Sequence, residues 1–141
     1  MDVRQLTAGV SVAAQLQPAD MAALARMGFR TVVNNRPDGE AETQPRNADC
    51  EQAARNLGLD YHYLPVLSGT ITDSDVLNFG KLLQSAQGPL LAFCRTGTRC
   101  TMLWALAEAQ HRTPDSIIST ARTAGYDLEA LRERLAARFG N

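Results

Sequence analysis

The segment PLLAF, residues 89–93, restricts the fold more than any other feature, because its apolar residues follow one another without a polar break. A strand covered on only one face alternates apolar and polar residues, so an unbroken run indicates a strand covered on both faces. Such strands belong to mostly parallel sheets with helices packed on either side. The run therefore predicts an α/β fold in which residues 89–93 form an inner strand.

The rest of the chain alternates short β-branched segments with segments of helical spacing. Strands are predicted at 10–16, 29–35 and 59–66. Helices are predicted at 18–27, 46–57, 73–86, 101–110, 113–124 and 127–138, with a loop of turn-forming residues at 36–45. We predict a three-layer sandwich in which a short, mostly parallel central sheet is flanked by helices, formed by a single domain over residues 1–141.

Charge and composition exclude several classes of partner. The formal net charge is -1 at pH 7, so no overall field attracts nucleic acid or an anionic membrane. The apolar runs are shorter than the roughly 18 residues of a membrane span, and the start MDVRQLTAGV lacks the features of a signal peptide. We expect a cytoplasmic protein that binds neither nucleic acid nor membrane. No CxxC pair or histidine cluster is present, so we expect no bound metal and no cofactor.

The segment FCRTGTRCT, residues 93–101, follows the buried strand directly and carries the clearest chemical signal. Ligands of parallel α/β sheets bind beyond the carboxyl ends of the strands, and Cys94 lies at such an end. The free N–H groups of a helix start and of a glycine-containing loop attract an anion, which favours a thiolate. We therefore predict that Cys94 is a nucleophile and that Arg99 holds an anion. The residues predicted to surround that anion are Arg95, Thr96, Gly97 and Thr98.

The segment CRTGTR resembles the active-site loop of cysteine-dependent phosphatases and of rhodaneses. With NNRPDGE (34–40), VSVAAQL, LDYHYLPV and LWAL, it resembles a bacterial phosphatase-like family, the phosphatase-like domain of β-lactamase hydrolase-like proteins, which is also described as sulfur transferases. The resemblance covers nearly the whole chain and implies a fold of the dual-specificity-phosphatase type. Members of that family occur alone or fused to a persulfide dioxygenase-like domain, so a persulfide dioxygenase is an implied partner.

The same resemblance implies roles for individual residues. It implies a catalytic Cys94 and an anion-holding Arg99, and it places the end of a neighbouring strand, Asn34–Asn35–Arg36, beside the cysteine loop. Asn34 or Asn35 would then brace the loop by hydrogen bonding, and Arg36 would supply a second positive charge. From the residues alone, a simple turn is the favoured interpretation of the segment NNRPDG, and the family resemblance reverses this for Asn35 and Arg36.

The length of the cysteine loop bears on the reaction. Four residues separate Cys94 from Arg99, as in the loop of rhodaneses, whereas tyrosine phosphatases have one residue more. A shorter loop makes a tighter nest of N–H groups, which suits a single sulfur better than a tetrahedral phosphate. The main hypothesis is therefore a sulfane-sulfur transferase that forms a persulfide on Cys94. It would take sulfur from a small sulfur-containing anion and pass it to a thiol acceptor.

A phosphatase also needs a general acid, usually an Asp, to protonate the leaving alcohol. At the place where dual-specificity phosphatases carry it, this chain has residues 67–69 (LSG), which hold no carboxylate. Asp73 and Asp75 are expected to cap and open the next helix. Asp38 and Glu40 are the remaining candidates.

Three other functions remain open from the sequence. The first is a phosphatase acting through a cysteinyl-phosphate on a phosphate-like anion. The second is a non-catalytic module that binds anions or phosphopeptides, and the third is a redox sensor that uses Cys94 and Cys100. Cys100 occupies the position where related loops carry Ser or Thr. It is either a weak S–H donor to Cys94 or a resolving thiol that closes a disulfide with it.

Overall fold

The computed structural model describes residues 1–141 as five strands and six α-helices. The strands are β1 (Val3–Thr7), β2 (Val10–Ala13), β3 (Thr31–Asn34), β4 (Asp60–Tyr63) and β5 (Leu90–Phe93). The helices are α1 (Met21–Arg26), α2 (Asn47–Asn56), α3 (Asp73–Ser85), α4 (Thr98–Glu108), α5 (Pro114–Thr123) and α6 (Arg132–Arg138). None of them is both long and apolar enough to cross a bilayer.

The sheet has the strand order β1-β2-β5-β3-β4, so β5 lies at its centre. β1 pairs antiparallel with β2, and every other neighbouring pair is parallel. The carboxyl ends of β2, β5, β3 and β4 therefore share one edge of the sheet. The loops after β5 and β3 meet at this edge, where the Asn35 N–H donates to the Phe93 carbonyl over 2.9 Å.

Alternate residues of β5 face two separate apolar layers. Leu90 and Ala92 belong to a larger core that includes residues of α3, α4, α5 and α6. Leu91 and Phe93 belong to a smaller core that includes residues of α1 and α2. All four side chains are buried, because helices cover the sheet on both faces. The predicted three-layer α/β sandwich with a mostly parallel sheet is thus confirmed, and the run PLLAF is its inner strand.

The structure differs from the sequence-based elements in several places, and the strands are shorter than predicted. The antiparallel edge strand β1 was not predicted, because only Leu6 of its five residues is buried and the apolar pattern is weak. Helix α4 begins at Thr98 rather than at 101, since Gly97 already serves as its N-cap. Two expected helices are each divided into a 3-10 turn and an α-helix: 18–27 into Pro18–Asp20 and α1, and 127–138 into Glu129–Leu131 and α6.

Candidate active site

The cysteine loop is a tight turn between the end of β5 and the start of α4. Cys94 donates its backbone N–H to the Ala13 carbonyl over 3.4 Å, which extends the sheet by one residue. The chain then reverses at Gly97, which has a φ of 90° in the left-handed region. A β-carbon at this position would collide with the hydroxyl of Tyr126, which donates to the Thr96 carbonyl over 3.3 Å. Glycine is therefore required at 97 for two independent reasons.

The sulfur of Cys94 lies inside a ring of hydrogen-bond donors. The Gly97 N–H donates to it over 3.1 Å, and the backbone N–H groups of Thr96 and Cys100 contribute as well. The thiol of Cys100 lowers the pKa of Cys94 more than any of these N–H groups does. Together they outweigh the opposing effect of burial and lower the pKa of Cys94 to about 6. Cys94 is thus a thiolate at neutral pH, stabilised chiefly by loop N–H groups and a neighbouring thiol.

Cys100 is the protonated member of this pair. It lies in the first turn of α4 and is completely buried. Burial comes first among the causes that raise its pKa well above the ordinary value, and the hydrogen bond to the Cys94 sulfur acts in the same direction. The thiol therefore stays available as a donor to the thiolate. The third cysteine, Cys50, is buried in the smaller apolar core on the other side of the sheet.

Alkylation by iodoacetamide tests whether Cys94 is a thiolate stabilised by the Cys100 thiol. The rate at which Cys94 is alkylated is expected to rise with pH to a plateau, with a midpoint near pH 6, because only the thiolate reacts. In Cys100→Ala the midpoint should move up by about one pH unit, since the main donor is lost, and Cys100→Ser should restore part of the shift. Mass spectrometry of the modified peptide measures both. An unchanged midpoint in Cys100→Ala would contradict the donor role of Cys100.

Arg99 is buried and its guanidinium faces Glu40. Its Nη1 donates to Glu40 Oε2 over 3.0 Å and to the Val66 carbonyl over 2.8 Å, and its Nη2 donates to Glu40 Oε1 over 3.2 Å. Arg36 Nε also donates to Glu40 Oε1, over 2.9 Å. One carboxylate therefore joins two buried arginines. The edge of Arg99 that carries Nε remains free of protein partners, and it is the edge available to an anion.

The ion pairs of Glu40 decide its protonation. Partial burial acts to raise its pKa, but the hydrogen bonds from Arg99 and Arg36 prevail and hold the pKa below the ordinary value of a glutamate. Glu40 is consequently ionised at neutral pH and cannot protonate a leaving group. Its candidacy as a general acid is corrected: the residue orients Arg99. This partnership spans 59 residues of sequence, and the sequence analysis missed it.

The segment Asn34–Asn35–Arg36 lies next to the cysteine loop, and its contacts are mainly structural. The amide of Asn35 donates to the Leu64 carbonyl over 2.9 Å, which ties β3 to the chain after β4. Asn34 accepts the Arg36 N–H over 2.8 Å, closing a local turn. Arg36 donates to Gln15 over 3.1 Å and reaches the site through Glu40. The structure thus brings Arg36 to the site, while the Asn35 side chain points to the neighbouring loop.

A cleft of about 470 Å³ opens over the Cys94 sulfur. Its floor is the cysteine loop, and its walls are formed by residues after β4, by α4, and by the 3-10 turn Glu129–Leu131 together with α6. The wall residues are Ser68, Gly69, Ile71, Met102, Leu131 and Arg134. No carboxylate lines this cleft. The predicted place of a phosphatase acid, residues 67–69, does face the cleft through Ser68 and Gly69.

The remaining acid candidates are engaged elsewhere. Asp75 and Thr72 form a reciprocal N-terminal cap of α3, as predicted. Asp73 is exposed and lies 3.3 Å from Arg134. Asp38 accepts the N–H of Asn47 over 2.8 Å at the start of α2. The leaving group of a substrate in the cleft would therefore meet no side-chain acid.

Comparison with known proteins places these features in a family context. A family model described as "Beta-lactamase hydrolase-like protein, phosphatase-like domain" matches residues 2–111. A beta-lactamase hydrolase-like protein of Agrobacterium fabrum is 39% identical over 121 residues, which are 84% of this chain and 28% of that protein. The chain spans less than a third of the length of the curated relatives it matches.

Solved structures similar to this chain include proteins described as phosphatases. A crystal structure of a candidate phosphatase from Neisseria meningitidis has a TM-score of 0.88 and 38% identity, covering 98% of this chain and 99% of that one. TpbA of Pseudomonas aeruginosa, solved with phosphotyrosine, has a TM-score of 0.65 and 20% identity, covering 97% of this chain and 81% of that one. The latter likeness concerns the fold alone. The fold is that of the cysteine phosphatases.

Proposed function

The chain belongs to the family of the phosphatase-like domain of beta-lactamase hydrolase-like proteins, and we propose that it is a phosphatase acting through a cysteinyl-phosphate on Cys94. The observation that carries this proposal is the Cys94 thiolate, held by N–H groups of a loop and a helix start at the floor of an open cleft. Such a group is both a nucleophile and the centre of an anion-binding nest.

The reaction would proceed in two displacements. In the first, the Cys94 sulfur attacks phosphorus, a P–S bond forms, and the ester P–O bond breaks. The loop N–H groups and the free edge of Arg99 then face the phosphoryl oxygens, where negative charge is concentrated. In the second, water attacks phosphorus and the P–S bond breaks, releasing inorganic phosphate. The S–H of Cys100 favours this step, because it stabilises the departing thiolate.

The absence of a carboxylate from the cleft restricts the substrate. A general acid contributes about 100-fold to 10,000-fold to such reactions, so esters whose leaving oxygen needs a proton are disfavoured. Phenolic leaving groups depart as anions more readily than alkyl ones. We therefore expect aryl phosphates to be hydrolysed faster than alkyl phosphates. TpbA, which shares the fold, was solved with an aryl phosphate, phosphotyrosine.

Sulfur transfer is a second candidate, favoured by the four-residue spacing between Cys94 and Arg99 and by the missing acid. The Cys94 thiolate would attack the outer sulfur of a donor such as thiosulfate, forming an S–S bond while sulfite leaves. A thiol acceptor would then take the outer sulfur and restore Cys94. In this reaction the leaving groups need no side-chain acid. A persulfide dioxygenase is the fitting partner for such a product.

Intact-mass measurement during turnover tests the proposal. The protein is mixed with p-nitrophenyl phosphate, or with thiosulfate plus cyanide, and quenched at short times. We expect release of p-nitrophenol, and an adduct on Cys94 with the mass of one phosphoryl group. A sulfur-atom adduct with thiocyanate production, and no hydrolysis of the aryl phosphate, would overturn the phosphatase in favour of sulfur transfer. If the protein binds phosphate but catalyses neither reaction, both the phosphatase and the sulfur-transfer function are rejected.

A further inference from the structure

A second cavity of about 280 Å³ adjoins the cleft and has no part in the mechanism above. Its lining residues are Arg36, Glu40, Ala41, Ser68, Arg95 and Arg99. Ser68, Arg95 and Arg99 line the cleft as well, so the two spaces share a wall. A ligand group in this side cavity would thus lie next to a phosphoryl group seated over Cys94.

The side cavity is strongly basic. Three guanidinium groups line it against one carboxylate, that of Glu40, and its only apolar side chain is the methyl group of Ala41. The carboxylate of Glu40 already accepts hydrogen bonds from both Arg36 and Arg99. The arginines of the side cavity are thus placed so that they can bind anionic oxygens. The surplus positive charge has no partner in the structure.

The unused donors point to a ligand. The exposed side chain of Arg95 makes no hydrogen bond and no ion pair, although most arginines of this chain are paired. Arg36 keeps Nη2 free after its bonds to Glu40 and Gln15. Arg134, across the cleft, is already engaged by Asp73 and the Ile71 carbonyl. The available positive charge is thus concentrated on one side of the cysteine loop.

We propose that the substrate carries a second anionic group, phosphoryl or carboxylate, adjacent to its phosphoester, and that this group binds in the side cavity against Arg95 and Arg36. This inference rests on the proposed phosphatase function and specifies its substrate class. Charge-assisted hydrogen bonds from guanidinium to carboxylate or phosphate are among the stronger polar contacts in proteins. Because Arg95 belongs to the cysteine loop itself, the second group must lie within a few bonds of the phosphoester.

Binding to the inactive variant Cys94→Ser tests the proposal with two matched pairs of probes. Pyrophosphate is compared with inorganic phosphate, and 2-carboxyphenyl phosphate with phenyl phosphate, by isothermal titration calorimetry. The first pair tests a second phosphoryl group, and the second pair tests a carboxylate. In at least one pair, the probe with two anionic groups should bind about tenfold more tightly, as expected for new charge-assisted bonds.

Two arginine variants in the Cys94→Ser background distinguish binding at the side cavity from general electrostatic attraction of anions. Arg95→Ala should reduce the affinity ratio within the pair to near one. Arg26→Ala removes the same charge from an exposed, unpaired position on α1 and should leave the ratio unchanged. If Cys94→Ser, with all its arginines in place, binds the two probes of each pair with nearly equal affinity, the inference is overturned. If phenyl phosphate nevertheless binds and is hydrolysed by the wild type, the proposed phosphatase function stands without the inferred second anionic group.

A ratio that falls equally in Arg95→Ala and Arg26→Ala would also overturn the inference, since the preference would then reflect overall charge. If none of the probes binds and p-nitrophenyl phosphate is not hydrolysed, the phosphatase proposal itself fails and the inference fails with it. The two failures are therefore distinguishable. Melting temperatures of all variants establish that each one is folded.

Discussion

Replacing Cys94 by Ser is expected to lower kcat for p-nitrophenyl phosphate by a factor of about 10,000 or more. The donors around the sulfur hold a thiolate with a pKa of about 6, whereas a serine hydroxyl stays protonated in the same place. The nest of N–H groups belongs to the backbone and survives the change. Binding of phosphate to Cys94→Ser should therefore remain measurable by calorimetry while turnover is lost.

The matched control is Cys50→Ser. Cys50 is as buried as Cys94 but lies in the apolar core of α1 and α2, on the opposite side of the sheet, where burial raises its pKa to about 11. Its sulfur lies 3.9 Å from the Leu16 carbonyl and does not line the cleft. Turnover of Cys50→Ser should stay within about twofold of the wild type. Full activity in Cys94→Ser would refute the proposed nucleophile.

Replacing Glu40 by Gln is expected to lower the free energy of unfolding by about 2–3 kcal/mol. Only 6% of the Arg36 side chain and 8% of the Arg99 side chain are exposed, so removing their shared carboxylate leaves two buried charges without an ionic partner. The estimate lies at or below the usual range for a broken buried pair, because the Glu40 side chain is 24% exposed and water can replace part of the loss. Urea denaturation measures the change.

Glu42→Gln is the matched control for this variant. It changes the same residue type in the same loop, at an exposed position that makes no ion pair, and should alter stability by less than about 0.5 kcal/mol. The difference between wild type and Glu40→Gln should also depend on pH. A depressed carboxylate pKa contributes stability at neutral pH that is lost as the pH falls through the folded-state value. The two proteins should therefore converge in acid, and a constant difference would contradict the ion-pair account.

The sequence predicted those parts of the fold that depend on strong local patterns. PLLAF identifies the central strand because both of its faces are buried, and the position of Cys94 follows from the end of that strand. The caps at Thr72 and Thr113 are local bonds between residues three positions apart, so they too could be recognised. The edge strand β1 could not, because its exposed residues carry little apolar signal.

The electrostatics of the site were harder to predict than its location. The loop N–H groups that the sequence indicated, and Cys100 in its reading as an S–H donor, are the groups that lower the pKa of Cys94. Arg99 was expected to hold an anion. Arg99 is instead occupied by Glu40, from a loop that follows a different strand. Which carboxylate meets which guanidinium depends on how loops from distant parts of the chain cross, and no local pattern encodes that crossing.

The tail of the chain, from Tyr126 onward, shapes the surroundings of the reactive cysteine. The match to the family model ends at residue 111, yet the hydroxyl that holds the cysteine loop and two residues of the cleft wall, Leu131 and Arg134, come later in the chain. The segment with the reactive cysteine and the segment that shapes the cleft are therefore separate stretches of sequence. Substitutions at Leu131 or Arg134 would thus reshape the cleft without altering the residues that form the nucleophile.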